Sequence, residues 1–337
     1  MRKDKLTKLV GILIILFIVI NFIPTSYYVM SPGIAEKLGP IITVQDGYKD
    51  NIKGSFMLTA VGSQKATLWD YFYINTFQPN GYELELLTDQ LPEGVNMDKY
   101  VNMMADLMEE SQLTAEAVAL KKLGYDVDVS GEGVEIIEVL ENSSANEKLE
   151  NGDVIKMIDG KKVEISSEAV DIIRDREIGD QVDLQVLRGT QLIDLSVKTI
   201  ELVDSPGVPS IGILIGTKNL NYDFPINVEY NTGNIIGPSA GGMFALEIYN
   251  QLTENDITQG KNIAGTGTIN LEGEIGRIDG IVQKIIAAEK ANAEIFLVPI
   301  DNYEKAKETN TEIQLVPIET FNDAVEFLEN EILSNAA

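Results

Sequence analysis

The stretch from Ile236 to Lys290 constrains the fold of this chain more than any other part of the sequence. It places Ser239 in a glycine-rich turn, GPSAG, directly before a segment whose apolar residues recur at helical spacing. We therefore expect Ser239 at a helix N-terminus, where unpaired N–H groups and the helix dipole favour negative charge. A tetrahedral acyl intermediate develops such a charge, so the backbone N–H groups of Ser239 and Ala240 are predicted to form an oxyanion hole.

Composition limits the base that can activate this serine. The chain contains no histidine and no cysteine, which excludes a Ser-His-Asp triad, a cysteine protease, thiol redox chemistry and zinc sites built from those residues. The remaining bases are a carboxylate or a lysine with a lowered pKa. Lys284 is the best candidate, because Ile281, Lys284 and Ile285 follow helical spacing on an apolar face, where desolvation favours the neutral amine.

The motifs around these residues resemble a known family. The runs GPSAGG, TGTI and GEIGRIDGIVQK, followed by IFLVP, are similar to the proteolytic domain of the Lon proteases, which are Ser-Lys dyad peptidases. The resemblance extends from about Val208 to the C-terminus. It implies that Ser239 is the nucleophile, that Lys284 is the general base and that Thr266 supports the lysine. Many Lon proteases carry an acidic residue three positions before the serine, where this chain has Ile236.

Charge and motif content limit the partners and cofactors. The formal net charge of −27 argues against nucleic acid, because its phosphates would be repelled. Asp126, Asp128, Ser130 and Gly131 imitate the start of a calcium loop, but its twelfth position is Ile137 rather than glutamate, so no metal is expected. The sequence has no G-x-x-x-x-G-K-[ST] phosphate loop. We therefore expect hydrolysis that needs neither a cofactor nor ATP.

The N-terminus predicts a retained membrane anchor. Basic residues between Arg2 and Lys8 precede an apolar run, and the 22 residues from Leu9 to Met30 would span about 33 Å at ~1.5 Å per residue in a helix. Basic residues stay on the cytoplasmic side, so residues 1–8 are predicted inside and everything after residue 30 outside. A cleaved signal peptide is the competing interpretation. The lack of an A-x-A-like site and a pair of tyrosines near the end of the run favour the anchor.

Residues 31–126 and 127–202 predict two different structures. Short strand-like runs and then a helix ending near Gly124 indicate that residues 31–126 form a β-rich first portion of the catalytic domain. The run LENGDVI and the Asp-Gly turn after it resemble a PDZ domain of the bacterial protease type, spanning 127–202. Such a domain binds an extended peptide as an added strand and captures its carboxylate with backbone N–H groups. That resemblance points to peptide binding at Gly131, Glu132, Gly133 and Val134; the alternative is a module that only positions or gates the catalytic domain.

The order of these segments defines the predicted fold and function. The fold class is α+β: a transmembrane helix at 9–30 precedes a Lon-type catalytic domain that the PDZ domain splits and that residues 203–337 complete. This order resembles the membrane-anchored, PDZ-containing Lon-like proteases of Gram-positive bacteria, which include pheromone-processing peptidases of the SepM type. The resemblance implies ATP-independent cleavage of extracytoplasmic peptides or proteins, with oligomerisation left open. The alternative is a catalytically silent PDZ scaffold that positions a membrane or secreted partner; the presence of both Ser239 and Lys284 favours the enzyme.

Overall fold

The computed structural model describes residues 2–49, 52–87, 97–140, 143–202, 205–233 and 235–335. The chain forms two compact units. The first combines Met1–Gly124 with Ile226–Ala337, and the second is Tyr125–Pro225.

The first unit begins with the elements that precede the insertion. They are α1 (Arg2–Ile20), β1 (Pro24–Lys37), β2 (Ile42–Val44), β3 (Ser55–Thr67), α2 (Leu68–Phe77), β4 (Glu83–Leu86) and α3 (Met97–Lys122).

The predicted span from Leu9 to Met30 is not one continuous helix. The helix α1 ends at Ile20, where the side chain of Asn21 donates a hydrogen bond to the carbonyl of Phe17 (2.8 Å). Pro24 then opens β1, because proline lacks the N–H that a helix needs and favours extended backbone. Residues 24–30 therefore belong to the sheet of the first unit.

Within the residues that the structure describes, no helix combines the length and the apolar character that crossing a membrane requires.

The second unit is built mainly of antiparallel strands. Its elements are β5 (Asp128–Ser130), β6 (Val134–Val139), β7 (Val154–Ile158), β8 (Lys161–Lys162), α4 (Ser166–Arg174), β9 (Gln181–Arg188), β10 (Gln191–Lys198), β11 (Ile200–Leu202), β12 (Ser205–Ser210), β13 (Ile213–Thr217) and β14 (Asn221–Asp223). The main sheet has the order β10-β9-β7-β6-β13, and β8 pairs with β7. Its core contains Val134, Ile136, Ile155, Ile158, Leu184 and Val186.

The second unit extends further along the chain than the predicted boundary at 202. The strand β13 pairs with β6 from Ile213 opposite Val139 to Thr217 opposite Val134. Because β13 completes this sheet, residues that we assigned to the Lon-like domain beginning at 203 lie in the second unit.

An ion pair between the buried Asp153 and the half-buried Arg188 holds the LENGDVI motif in place. Asp153 is 1% exposed and accepts hydrogen bonds from Arg188 Nε (2.8 Å) and Nη2 (2.7 Å), and from the backbone N–H of Glu150 (2.9 Å). Burial alone would raise the pKa of Asp153, but the hydrogen bonds from Arg188 and Glu150 outweigh burial and lower it. The pair therefore contributes stability at neutral pH, and this stability is lost as the pH falls through the depressed pKa.

Replacing Arg188 with methionine should destabilise the second unit by about 3–5 kcal/mol, because it leaves a buried carboxylate without its partner. Thermal unfolding followed by circular dichroism measures the effect. The exposed Lys161 provides the matched control, and Lys161→Met should change the melting curve little. Equal melting temperatures for the two variants would contradict a structural role for the pair.

The first unit resumes after the insertion. Its elements are β15 (Val228–Tyr230), a 3₁₀ turn (Pro238–Ala240), α5 (Gly241–Leu252), β16 (Asn262–Gly265), β17 (Thr268–Ile269), β18 (Ile275–Gly276), α6 (Ile281–Lys290), β19 (Ile295–Pro299), a second 3₁₀ turn (Ile300–Asn302), α7 (Tyr303–Lys307), β20 (Gln314–Ile318) and α8 (Phe321–Asn335).

One mixed sheet joins the two halves of the first unit. Its order is β20-β19-β16-β3-β1-β4, and β3 pairs in parallel with β16 from Ser55 opposite Asn262 to Leu58 opposite Gly265. The helix α5 is buried from Gly241 to Gln251, as expected for a helix that is apolar on nearly all sides. The core beside it includes Leu38, Phe56, Phe244, Ile248, Leu297 and Phe321.

Candidate active site

The turn that carries Ser239 is held by α3. Gly237 has a φ of +100°, a conformation that favours glycine, and its N–H donates to the carbonyl of Met104 (3.0 Å). The hydroxyl of Ser111 donates to the carbonyl of Pro238 (3.0 Å). The backbone on the N-terminal side of Ser239 is therefore fixed by a helix from the other half of the first unit.

The glycines after Ser239 let α5 begin in close contact with its neighbours. A Cβ at Gly241 would lie 2.6 Å from Ser111 Oγ and 2.7 Å from Ile269 Cγ2, so a larger residue would push these elements apart. The carbonyl of Ser239 accepts hydrogen bonds from the N–H of Gly267 (2.8 Å) and from the hydroxyl of Thr266 (2.9 Å). These hydrogen bonds hold Ser239 in the 3₁₀ turn that leads directly into α5.

The structure brings Ser239, Lys284 and Thr266 together. Lys284 lies on α6 and is 3% exposed; its Nζ is 2.7 Å from Ser239 Oγ and 2.8 Å from Thr266 Oγ1. Burial lowers the pKa of Lys284 to about 7, although the negative charge of Asp279 acts in the opposite direction. A large fraction of this lysine is therefore neutral near neutral pH.

The partners of the Thr266 hydroxyl determine the direction of these hydrogen bonds. Its one proton goes to the Ser239 carbonyl, which can only accept, so the hydroxyl oxygen accepts from an N–H of Lys284. A neutral amine has one lone pair, and this lone pair remains for the hydroxyl proton of Ser239. A charged ammonium has three donors and no acceptor. Only the neutral lysine can take the proton.

An open cleft of about 360 Å³ lies over this group, between residues of β3, α3 and the turn before Ser239. Besides Ser239 and Lys284, its wall includes Val61, Tyr100, Met104, Ile236, Arg277 and Asp279. We did not identify Tyr100, Ser111 or Asp279 from the sequence. Asp279 lies five residues before Lys284 in GRIDGIVQK, and this closeness in sequence is a weak signal of a role near the lysine. Tyr100 and Ser111, on α3, have no such signal.

The structure places the predicted peptide-binding residues Gly131, Glu132 and Gly133 in the loop before β6, and Val134 at the first position of that strand. The N–H of Glu132 donates to the carbonyl of Lys218 (2.8 Å), and the N–H of Gly133 donates to the carbonyl of Glu164 (3.1 Å). Val134 begins β6, which has β7 on one side and β13 on the other. These groups are already engaged within the unit. Next to β6, the outermost strand of the described sheet is β13. The local sequence did not show that β13 pairs with β6.

Comparisons with known families agree with two of the predicted domains. Residues 121–199 match the family described as the PDZ domain, and residues 219–331 match the Lon protease (S16) C-terminal proteolytic domain. The predicted PDZ and Lon-type proteolytic domains are therefore confirmed, and the second match contains Ser239, Thr266 and Lys284.

Curated relatives match a limited part of the chain. It is 32% identical over 87 residues to a Lon protease of Buchnera aphidicola, which covers 26% of this chain and 11% of that protein. A Lon protease of Campylobacter concisus is 37% identical over 84 residues, 25% of this chain and 10% of that protein. A Helicobacter pylori Lon protease is 30% identical over 131 residues, 36% of this chain and 15% of that protein. The chain thus spans a small part of the length of these relatives.

Similar solved structures correspond to PDZ domains. The PDZ domain of an SdrC-like protein from Listeria monocytogenes is 29% identical and covers 26% of this chain and 92% of that chain, with a TM-score of 0.24. The corresponding domain from Listeria innocua is 35% identical and covers 25% of this chain and 92% of that chain, also with a TM-score of 0.24.

Proposed function

We propose that this chain is a serine endopeptidase that uses a Ser-Lys dyad. The observation that carries the proposal is the 2.7 Å separation between Lys284 Nζ and Ser239 Oγ, with Thr266 oriented so that the lysine lone pair remains for the serine proton. The match of residues 219–331 to a Lon-type proteolytic domain supports it.

The reaction follows from these positions. Ser239 Oγ attacks the scissile carbonyl carbon and transfers its proton to Lys284 Nζ. The carbonyl oxygen becomes an oxyanion next to the N–H groups of Ser239 and Ala240, at the start of the helical segment. The ammonium of Lys284 protonates the leaving amine, and the neutral lysine then activates the water that hydrolyses the acyl-enzyme. This sequence of steps consumes no nucleotide and requires no metal.

Incubation of the full-length protein in detergent with a set of unstructured peptides tests this function. Mass spectrometry of the products detects cleavage and locates the cleaved bonds. A failure to cleave any peptide would favour the alternative of a PDZ scaffold without catalytic activity. A shortened protein for this assay should begin before Pro24, because β1 starts there and lies in the sheet of the catalytic unit.

Replacing Asp279 with asparagine should shift the pH dependence of cleavage to lower pH. The charge of Asp279 raises the pKa of Lys284, so its removal favours the neutral amine at a lower pH. The measurement is kcat/KM across a pH series with one peptide. Asp301→Asn, at an exposed position of the same unit, is the matched control and should leave the profile unchanged. An acid limb of the profile that stays at the wild-type pH would contradict coupling between Asp279 and the lysine.

We propose that the PDZ domain binds an extended segment of the substrate along β13. This strand is outermost in the described sheet, and an edge strand offers unpaired backbone groups to an incoming peptide.

Deletion of the second unit, with Gly124 joined to Ile226 through a flexible linker, should preserve cleavage of short peptides. Cleavage of long substrates should fall about tenfold or more, since they lose a second binding site. Comparison of kcat/KM for a short and an extended version of one peptide measures this, and an equal loss on both would indicate a structural role.

We also propose that the N-terminal segment anchors the protein, with the catalytic unit outside the cytoplasmic membrane. Most of the large apolar side chains described on α1 are exposed, from 46% at Val19 to 63% at Ile15, while Ile20 is half-buried, and basic residues precede them. The substrates would then be extracytoplasmic peptides or proteins, and pheromone precursors are one such class.

Protease added to cells without their wall should digest the catalytic unit while the N-terminal tail remains protected. A mature chain that begins after Ile23 would contradict the anchor.

A further inference from the structure

We propose that an aromatic face of α2 binds the headgroup region of a phospholipid bilayer. The aromatic face comprises Trp69, Phe72, Tyr73 and Phe77. The proposal deepens the proposed membrane anchoring by α1, because it gives the catalytic unit its own contact with the lipid surface. Phe72 is 53% exposed, Tyr73 39% and Phe77 63%, and Trp69 is half-buried.

Helix geometry separates this face from the core. Ile74 is 7% exposed and packs with Val29 and Ala66 in a small cluster of the first unit. The aromatic residues follow spacing i, i+3, i+4 and i+8, which places them away from Ile74 on a helix of 3.6 residues per turn.

The rings of the aromatic face contact one another rather than the core. Trp69 lies 6.0 Å from Phe72 and 6.2 Å from Tyr73 between ring centroids, and Tyr73 lies 5.3 Å from Phe77. The one charged residue of α2, Asp70, is engaged in the capping box at the start of the helix. The helix therefore has a second apolar surface without a charge. Exposed apolar surfaces of this kind are typical of protein or membrane contacts.

The aromatic face continues into the apolar surface of α1. The ring of Phe17, in the last turn of α1, meets the ring of Trp69 edge to face, with centroids 4.8 Å apart and planes at 74°. This contact lies at the end of α1 opposite the basic residues. With those basic residues at the cytoplasmic side, the aromatic face would lie at the outer surface of the bilayer.

The short apolar part of α1 favours lipid over protein as the occupant of this face. From Leu9 to Ile20 the helix is about 18 Å long at ~1.5 Å per residue, whereas a bilayer has a hydrocarbon core of about 30 Å. A span this short draws the attached domain toward the membrane, which puts α2 at the depth of the headgroups. Tryptophan and tyrosine concentrate at that depth, because their rings are apolar and their N–H or O–H groups are polar. Contact with a second copy of the chain would not require tryptophan and tyrosine on this face.

Fluorescence of the full-length protein in lipid nanodiscs, with one copy in each disc, tests the proposal. Trp69 is the only tryptophan of the chain, so its emission reports the position of α2 without labelling. With phospholipid brominated near the carboxyl end of the acyl chains, Trp69 emission should fall about twofold or more relative to unbrominated lipid. Bromine near the methyl end should quench it less, because that end lies deeper.

A relocated tryptophan provides the matched control. Trp69→Phe combined with Ile300→Trp places the reporter after β19, with β16 and β3 between that strand and β1. Ile300 is 44% exposed, so the substitution should be tolerated, and its emission should not respond to brominated lipid. A second variant, Phe72→Ser with Phe77→Ser, removes two rings of the face and should reduce quenching of Trp69 while circular dichroism stays unchanged.

The possible outcomes separate this proposal from the proposed anchor. Extraction at alkaline pH measures anchoring by α1 independently of α2. Protein that resists extraction but shows no quenching of Trp69 would overturn the α2 proposal and leave the anchor standing. Protein that is extracted and unquenched would overturn both. Trp69 emission that shifts only when two copies share a disc, without quenching by bromine, would identify a second copy as the occupant and overturn the lipid proposal.

Discussion

Replacement of Ser239 by alanine should lower kcat/KM for peptide cleavage by about a thousandfold or more, because no acyl-enzyme can form. The residue lies in a fixed turn, so its truncation should not move the backbone: the Ser239 carbonyl still accepts from Gly267 and Thr266. The loss is therefore expected in kcat rather than in binding. Measurement of product formation from one fluorogenic peptide, with the wild-type protein beside it, gives the ratio.

The control for this variant is an exposed serine of the same unit. Ser63 lies on β3 and is exposed, so Ser63→Ala should retain wild-type activity. Both proteins should have the same thermal melt as the wild type. Cleavage by Ser239→Ala within about tenfold of the wild-type rate would mean that another group is the nucleophile.

Replacement of Lys284 by arginine should abolish cleavage to a similar extent. The wild-type kcat/KM should rise with pH through about 7, since the pKa of Lys284 is lowered to about 7 and only its neutral form accepts the serine proton. A guanidinium keeps the charge but cannot lose a proton in a protein, so it cannot act as the base. Retention of activity within a few fold of wild type would exclude the dyad and leave a carboxylate as the base.

Lys284→Met separates the loss of the base from a loss of folding. Arginine places a permanent charge at a buried position and can destabilise the unit, whereas methionine fills similar volume without a charge. In the wild-type protein the unfolded lysine binds a proton that the folded lysine has lost, so stability should rise as the pH increases between about 7 and 10.5. The methionine variant should fold, lack activity and lose this pH dependence. A melt series over that range measures it.

The special positions of Ser239 and Lys284, which the structure places 2.7 Å apart, were predictable because both residues have strong local signals. Ser239 stands in a glycine-rich turn before a helical pattern, and Lys284 interrupts an apolar helix face, so each indicates a special position by itself. The family resemblance supplied their pairing. The residues that hold the turn are Met104, through its carbonyl, and Ser111, through its hydroxyl. Both are more than a hundred positions away in the sequence. A helical pattern does not show which distant backbone groups such a helix will contact.

The sheet edges were less predictable than the site, for a related physical reason. A strand pattern shows which side chains face a core but not which strand lies alongside. The peptide-binding residues predicted from the sequence, Gly131 to Val134, lead into β6, and the sequence did not show that β13, from beyond the predicted end of the domain, pairs with this strand. The predicted N-terminal span also included residues 24–30, which the structure places in β1, because the sequence does not show that these residues pair with β3 and β4.

The pairing of β3 with β16 also determines when the sheet of the first unit can form during synthesis. Ser55 on β3 and its hydrogen-bond partner Asn262 on β16 are separated by 207 residues. The sheet beside Ser239 therefore cannot close until nearly the whole chain has been made, and contacts so distant in sequence form slowly. The growing polypeptide therefore lacks the assembled group of Ser239, Thr266 and Lys284 until translation is nearly complete. The proposed peptidase activity can then appear only in a nearly finished molecule.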